Sequence, residues 1–266
     1  MLRDVSFGQF YPTDSFVHRL DPRIKLLLLI AYIVAVFLAK TFAGLGAVFF
    51  FLAVAVAFSA VPPSSVLKSI KAIIFLIIFT FILNVFFYTA EEGDTVLFWV
   101  VTKEGLLNAT FLSLRLILLV TGCSVLTLTT TPVNLTDGIE SLLRPLAYIK
   151  FPVHELALIM SIALRFIPTL ADETDRIIQA QKARGADFES RNPISRVKAL
   201  IPILIPLLVS AFRRADELGN AMDARCYSGS KTRTKYKKLT LTYRDGLATL
   251  LTVCLIVGVV VLNSAL

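Results

Sequence analysis

The sequence predicts an all-α integral membrane protein with about five transmembrane helices and a helical cytoplasmic region. Apolar residues make up 56% of the chain and its mean hydropathy is +0.75, whereas soluble domains are usually about 45–50% apolar. The chain also carries a net charge of +8. A chain that is both apolar and basic must separate these properties in space, so the positions of the charges predict the topology.

Four apolar runs are predicted to cross a bilayer as helices. A spanning helix needs about 20 residues to match a hydrocarbon core of about 30 Å. Arg115 is the only charged residue in these four runs, and we expect it to have a structural rather than a functional role. The four predicted spans are Phe42–Val61, Ala72–Ala90, Leu106–Thr130 and Leu247–Leu262.

A fifth span is predicted at Leu26–Ala39, which is uncharged for only 14 residues. At 1.5 Å per residue this helix covers roughly 21 Å, which is short for a bilayer. Lys25 and Lys40 flank the run, and their long side chains can extend toward the membrane surfaces. We therefore predict that Leu26–Ala39 and Phe42–Val61 form a tight helical hairpin.

The placement of Lys and Arg predicts a multi-pass protein of the cell membrane with a cytoplasmic N-terminus. Basic residues cluster before the first span, near 62–71 and between 131 and 246, whereas the loop at 91–105 is acidic. Basic loops remain on the cytoplasmic side, and five spans then place the C-terminus outside. The predicted regions are 1–130 with four spans, a cytoplasmic helical region at 131–240, and a C-terminal transmembrane helix at 241–266.

The cytoplasmic region combines short apolar runs with strongly charged segments. Leu156–Leu164 and Ala199–Phe212 are each too short to span, and Pro202 and Pro206 interrupt the second run. Prolines after Arg144, Phe151 and Ile167 predict a division into about five short helices. So much Ile and Leu favours helices that lie along the inner membrane face or in the groove of a partner. The alternative is a cytoplasmic helical domain with its own core.

A basic run precedes the last span, with five Lys or Arg residues among the eight at 231–238. Such a run suits the anionic inner leaflet of the bilayer. It is equally compatible with a loop whose charge only sets the topology.

The sequence has none of the motifs of an enzyme that works alone. It has no phosphate-binding loop, no HExxH motif, no paired cysteines and no GxSxG motif, so we expect no cofactor, no metal and no nucleotide site. Cys123, Cys226 and Cys254 are too scattered for a disulfide framework or a zinc site. Membrane topology accounts for the basic residues, and nucleic acid is not among the expected partners.

Two charged segments end in similar triplets. Each begins with Ala-Asp-Glu and ends in an arginine between small residues, and Gly185 and Gly229 are suitable helix stops. The arginines complement the helix dipole, which is a sufficient structural explanation for one copy. Two copies favour a second role, because small neighbours leave a guanidinium free to enter the groove of another protein. The triplets are Ala183-Arg184-Gly185 and Ala224-Arg225-Cys226.

Together with the run Asp14–Lys25 and the segment Leu164–Pro168, these triplets resemble the transmembrane coupling subunit, or T component, of energy-coupling factor (ECF) type ABC transporters. The resemblance covers nearly the whole chain. The second triplet departs from the pattern because Cys226 stands where glycine is usual.

The resemblance implies a non-catalytic subunit that joins two cytoplasmic ABC ATPases to a membrane-embedded substrate-binding subunit for a vitamin or other micronutrient. Arg184 and Arg225 would each insert into a groove of one ATPase. Four small neighbours would allow close approach: Ala183, Gly185, Ala224 and Cys226. The short apolar helices would contact the substrate-binding subunit through residues that include Leu156, Ile159, Leu204, Leu207 and Leu208.

Two other classes of protein are weaker alternatives. A membrane enzyme acting on lipid-linked substrates would need converging acids or a metal site, and the densest acidic group is Asp172, Glu173 and Asp175. These acids are typical of a helix start. A self-sufficient channel or secondary transporter would be expected to have more intramembrane charge or an inverted repeat.

Overall fold

The structure is a computed structural model that describes residues 10–87, 96–98, 101–149, 151–186, 193–227, 229 and 240–265. A 3-10 helix, Arg144–Ile149, lies between α5 and α6. The other elements are, in chain order, α1 (Pro22–Leu38), α2 (Phe42–Ser59), α3 (Pro63–Phe86), β1 (Val96–Phe98), β2 (Val101–Thr102), α4 (Lys103–Thr129), α5 (Pro132–Leu143), α6 (Val153–Ala183), α7 (Pro193–Ala224) and α8 (Tyr243–Ala265).

The architecture is α-helical, which confirms the predicted fold class. Apart from the 3-10 helix, the described residues include one short antiparallel ladder of β1 and β2, in which Val96 pairs with Thr102 and Phe98 with Val101. The ladder leads directly into α4, whose first turn is capped by the hydroxyl of Thr102 accepting from Gly105 N at 3.2 Å. This hydroxyl satisfies one of the unpaired amides at the helix start.

Five helices in the described part of the chain are long and apolar enough to cross a membrane: α2, α3, α4, α6 and α8. Four of them match predicted spans. The expectation that the Leu156 region is too short to span was wrong, because α6 runs unbroken for 31 residues through Pro168. A proline inside a helix removes one hydrogen bond and bends the axis, and long helical stretches on both sides keep α6 continuous here.

The chain divides into two compact units. One contains Gly8–Leu142 and Leu239–Leu266, and we call it the membrane unit; the other contains Leu143–Lys238, and we call it the arm unit. In the membrane unit α1 and α2 each pack on α4 and α8. The buried core of this unit consists of Tyr32, Ala35, Val36, Ala39, Leu45, Val48, Leu52, Leu118, Leu255 and Val259.

Helix α1 runs parallel to α8 and matches the length of its central stretch. At one end Asp21 N donates to Asp245 Oδ1 at 2.9 Å. At the other end the amide of Asn263 donates to Leu38 O, and Asn263 Oδ1 accepts from Lys40 N at 3.2 Å. Although α1 has only 17 residues, it therefore covers the same distance as the stretch of α8 between Asp245 and Asn263.

Lys25 closes the end of the membrane unit at which α1 and α8 begin and α4 ends. It is 6% exposed, and its Nζ donates to Thr129 O at 2.9 Å and to Thr130 Oγ1 at 3.1 Å. A third bond reaches His18 O at 3.3 Å. These bonds satisfy polar groups at the C-terminal end of α4, which its own helix leaves without partners.

The opposite end of the membrane unit holds the turn between α1 and α2. Only Ala39, Lys40 and Thr41 separate the two helices, so the turn is as short as the predicted tight hairpin requires. The two helices pack mainly on α4 and α8, however, and only slightly on each other. Arg115 of α4 donates from Nη2 to Ala39 O at 2.7 Å, and its guanidinium lies over the rings of Phe37 and Phe111. Arg115 thus has the structural role that we expected.

The arm unit contains fewer and longer helices than the sequence predicts. The prolines at 145 and 152 lie at a 3-10 helix and at the N-cap of α6, but Pro168, Pro202 and Pro206 lie inside α6 and α7. The expectation of about five short helices was therefore wrong, because proline was weighted as a stop rather than as a bend. The basic run at 231–238 lies outside the described residues, and so do residues 91–95, 99 and 100 of the acidic loop at 91–105.

Candidate functional site

The first triplet, Ala183-Arg184-Gly185, ends α6 in a Schellman motif. Arg184 is the C-cap with φ −87° and ψ 4°. Gly185 N donates to Lys182 O at 3.0 Å, and the next amide, of Ala186, donates to Gln181 O at 3.0 Å. Gly185 has φ +86°, a left-handed conformation that glycine adopts without steric cost. We call this triplet the first tip.

The second triplet, Ala224-Arg225-Cys226, ends α7 in the same motif, and we call it the second tip. Cys226 N donates to Asp223 O at 2.9 Å, and the amide of Tyr227 donates to Met222 O at 3.1 Å. Cys226 has φ +55°. The cysteine thus occupies the left-handed position that the glycine fills in the first tip, in spite of its side chain.

This geometry corrects one sequence-based expectation. Gly229 has φ +87°, but α7 already ends at Ala224, and Cys226 is the residue that reverses the chain. The prediction of Gly229 as the helix stop was wrong because glycine was taken as the signal for a left-handed residue. The hydrogen bonds, and not the residue type, show that the two tips are the same motif.

Both tips are exposed at their arginines and at the residues beside them. Arg184 and Arg225 are exposed, as are their four small neighbours. Within the described residues neither guanidinium has a hydrogen-bond or ion-pair partner. Each arginine lies at the C-terminal end of a helix, where a positive charge is favoured. The tips therefore present two unpaired guanidinium groups to the surroundings.

The predicted apolar contact residues lie in the N-terminal halves of α6 and α7. Ile159 is 64% exposed and Leu204 is 63% exposed. Leu156 and Leu208 are also exposed, whereas Leu207 is half-buried. Further exposed apolar residues that sequence reasoning did not single out are Met160, Leu200, Ile201, Ile205, Val209 and Phe212.

An ion pair joins α6 to α7, and sequence reasoning missed it. Arg214 Nη2 donates to Glu173 Oε2 at 2.7 Å. The sequence carries one signal for this pair, which is the equal spacing to the tips. Glu173 lies eleven positions before Arg184, and Arg214 lies eleven positions before Arg225. Among the described residues, no group of three or more His, Cys, Asp or Glu side chains is arranged to hold a metal ion.

Comparison with known proteins agrees with this geometry. Five helices of the described residues are able to cross a bilayer, which defines the chain as a multi-pass membrane protein. A family model described as CbiQ, cobalt transport protein, matches residues 13–236. The chain belongs to the CbiQ family.

Curated relatives carry a more specific name, energy-coupling factor transporter transmembrane protein EcfT. The relative from Clostridium kluyveri is 49% identical over 259 residues, which cover 96% of each chain. The Bacillus subtilis relative is 48% identical and covers 92% of this chain and 93% of its own length. The relative from Lactococcus lactis is 44% identical with the same coverage. The resemblance to the transmembrane subunits of ECF transporters is therefore confirmed.

Proposed function

We propose that the chain transmits ATP-driven motion from two cytoplasmic ABC ATPases to a membrane-embedded substrate-binding subunit. The observation that carries this proposal is the pair of matched tips, in which two helices end in the same turn and present arginines without partners. Each tip is shaped to fill a groove of a separate protein. The exposed apolar residues of α6 and α7 would contact the substrate-binding subunit, which would itself bind the vitamin or other micronutrient.

The proposed orientation places the N-terminus in the cytoplasm of a cell-membrane protein. The distribution of Lys and Arg supports this orientation. The hydrogen bonds of the membrane unit support the alternation of the spans, because Lys25 and Asp245 join the start of α1, the end of α4 and the start of α8 at one face. That arrangement is the one expected for five alternating spans α1, α2, α3, α4 and α8. We place α6 along the membrane face rather than across it, since its apolar residues are concentrated on one side, unlike those of α2.

Charge reversal at the tips tests the ATPase contacts. Arg184→Glu and Arg225→Glu, singly and together, are introduced into the complete transporter, with Arg144→Glu and Arg213→Glu as exposed controls. Loss of one desolvated arginine contact costs about 2–5 kcal/mol, so each single variant is expected to reduce ATPase co-purification and ATP-driven uptake. The double variant is expected to lose both, while the controls keep them.

Three results would contradict the proposal. The first is normal uptake by the double tip variant. The second is metal-dependent turnover of a lipid-linked substrate by the purified chain, which would support the membrane-enzyme alternative. Uptake of a solute by this chain alone in liposomes would instead favour a self-sufficient transporter.

A further inference from the structure

The ion pair between Glu173 and Arg214 lies where the mostly apolar half of each helix meets its charged half. In α6 the mostly apolar half ends at Leu170 and in α7 it ends at Phe212, and charged residues follow in each case. The ion pair joins the two helices at these boundaries. The apolar halves lie on one side of the ion pair. Two charged segments of the arm unit lie on the other side, and we call these segments, 173–184 and 214–225, the arms.

The two arms have the same length. Arg184 lies eleven positions after Glu173, and Arg225 lies eleven positions after Arg214, which is about 16 Å of helix in each case. The prolines of both helices, Pro168, Pro202 and Pro206, all precede the ion pair. Since sharp bends in helices occur mainly at proline, each arm is expected to move as a straight rod.

The contact between the two side chains is close and only partly exposed. The side chains of Glu173 and Arg214 are 24% and 32% exposed, and the donor–acceptor distance is 2.7 Å. A short charged hydrogen bond is a strong one. Because it joins one donor atom to one acceptor atom, it fixes position along both helices but permits rotation about the contact.

We propose that the Glu173–Arg214 ion pair is the pivot about which α6 and α7 turn when the tips move. This inference rests on the proposed function. Equal arms mean that equal displacements of the two tips rotate the helices by equal amounts about the pivot. The rotation then reaches the apolar halves, which are the proposed contact with the substrate-binding subunit. Glu173 and Arg214 are positioning residues, and they contact neither ATP nor the transported solute.

The test uses the complete transporter reconstituted in liposomes. Glu173→Gln and Arg214→Gln remove the charge from one partner each, and Glu173→Arg with Arg214→Glu exchanges the two charges. The neighbouring exposed residues Asp172 and Arg213 provide matched controls as Asp172→Asn and Arg213→Gln. Three quantities are measured: ATPase co-purification, ATP hydrolysis, and solute taken up per ATP hydrolysed.

The neutral variants are expected to bind the ATPases normally but to take up about fivefold less solute per ATP, since they uncouple the tips from the apolar halves. The charge exchange is expected to restore most of the uptake per ATP, and the controls are expected to match the unmodified chain. Unchanged uptake per ATP in both neutral variants would overturn the proposal. So would a charge-exchanged variant no better than the single variants, or loss of assembly in parallel with loss of thermal stability.

The outcome separates the pivot from the proposed function. If Arg184→Glu with Arg225→Glu abolishes ATPase binding while Glu173→Gln keeps normal coupling, the pivot is wrong and the proposed function stands. If the double tip variant transports normally, the proposed function fails, and the pivot, which depends on force applied at the tips, fails with it.

Discussion

Gly122 of α4 faces the ring of Tyr32 of α1 so closely that any larger side chain would overlap it. A Cβ atom at Gly122 would lie 2.3 Å from Tyr32 Cε1 and 2.9 Å from Cδ1. The ring is 4% exposed, and its hydroxyl donates to Leu118 O at 2.9 Å, one turn before Gly122. The ring cannot move aside without breaking this bond, so the pair determines how closely α1 and α4 approach.

We therefore expect Gly122→Ala to destabilise the membrane unit. Overpacking of this kind costs about 1–3 kcal/mol, measured as a lower unfolding midpoint of the purified chain in detergent. Gly46→Ala is the matched control, because a Cβ at Gly46 meets no atom within 4 Å. Alanine is also the better helix former, so the control is expected to be neutral or slightly stabilising. Equal stability of the two variants would contradict the close approach described above.

Lys25→Met is expected to destabilise the membrane unit through its effect on α4. The substitution keeps the apolar stem but leaves Thr129 O and Thr130 Oγ1 buried without the ammonium donor. Each buried polar group left without a partner costs about 1–3 kcal/mol. Lys68→Met, at an exposed position of α3, is the control and should unfold at the same temperature as the unmodified chain. A similar midpoint for Lys25→Met would show that water replaces the ammonium group.

Substitution of the residue in the left-handed conformation is expected to lower the local stability of the first tip and to raise that of the second tip. Gly185→Ala places a Cβ at φ +86° and is expected to cost about 1 kcal/mol of local stability, although the space around it is open. Cys226→Gly removes a Cβ from φ +55° and should stabilise its turn. Hydrogen exchange of the amides of Ala186 and Tyr227 measures each effect. Slower exchange in Gly185→Ala, or faster exchange in Cys226→Gly, would rule out the shared motif.

His18 makes the stability of the membrane unit depend on pH. Partial burial lowers the pKa of His18 below its ordinary value of 6.5 and outweighs the hydrogen bond to Tyr11 O, while the positive charge of Lys25 lowers it further. The neutral ring, which donates to Tyr11 O and accepts from Ser15 Oγ, is the form that the fold favours. As the pH falls below 6.5 the unfolded chain binds the proton first, so stability should decrease.

The corresponding measurement compares unfolding midpoints at about pH 7 and about pH 5. His18→Gln cannot take up the proton, so its midpoint should fall less over this range than that of the unmodified chain. Glutamine keeps one donor for Tyr11 O. The same fall in both proteins would assign the pH dependence to other groups.

The sequence contained enough information for the spans and for the tip arginines. Uncharged runs near 20 residues are a direct consequence of bilayer thickness, and α2, α3, α4 and α8 follow them closely. Arg184 and Arg225 were visible because small residues flank each of them. The length of α6 was not visible, since proline in a sequence does not reveal whether the helix ends or bends.

The contacts between distant residues could not be predicted from one sequence. Lys25 was expected to extend toward the membrane surface, yet its ammonium group is buried among acceptors from α4. Glu173 was taken only as part of a helix start, although its carboxylate binds Arg214 of another helix. In each case the local sequence is compatible with a side chain that is hydrated and with one that is bonded to a distant residue. Only the packed structure shows which of the two occurs. The left-handed backbone conformation of Cys226 was likewise not predictable from its residue type.

The hydrogen bonds at the two ends of α1 connect residues that the ribosome makes at very different times. Asp21 and Asp245 are 224 positions apart, and Leu38 and Asn263 are 225 positions apart. At a synthesis rate of about 5–20 residues per second, roughly 10–45 s pass between the two members of each pair. The contacts of α1 with α8 can therefore form only after nearly all of the chain between them has been synthesised, so the packing of the membrane unit is completed late.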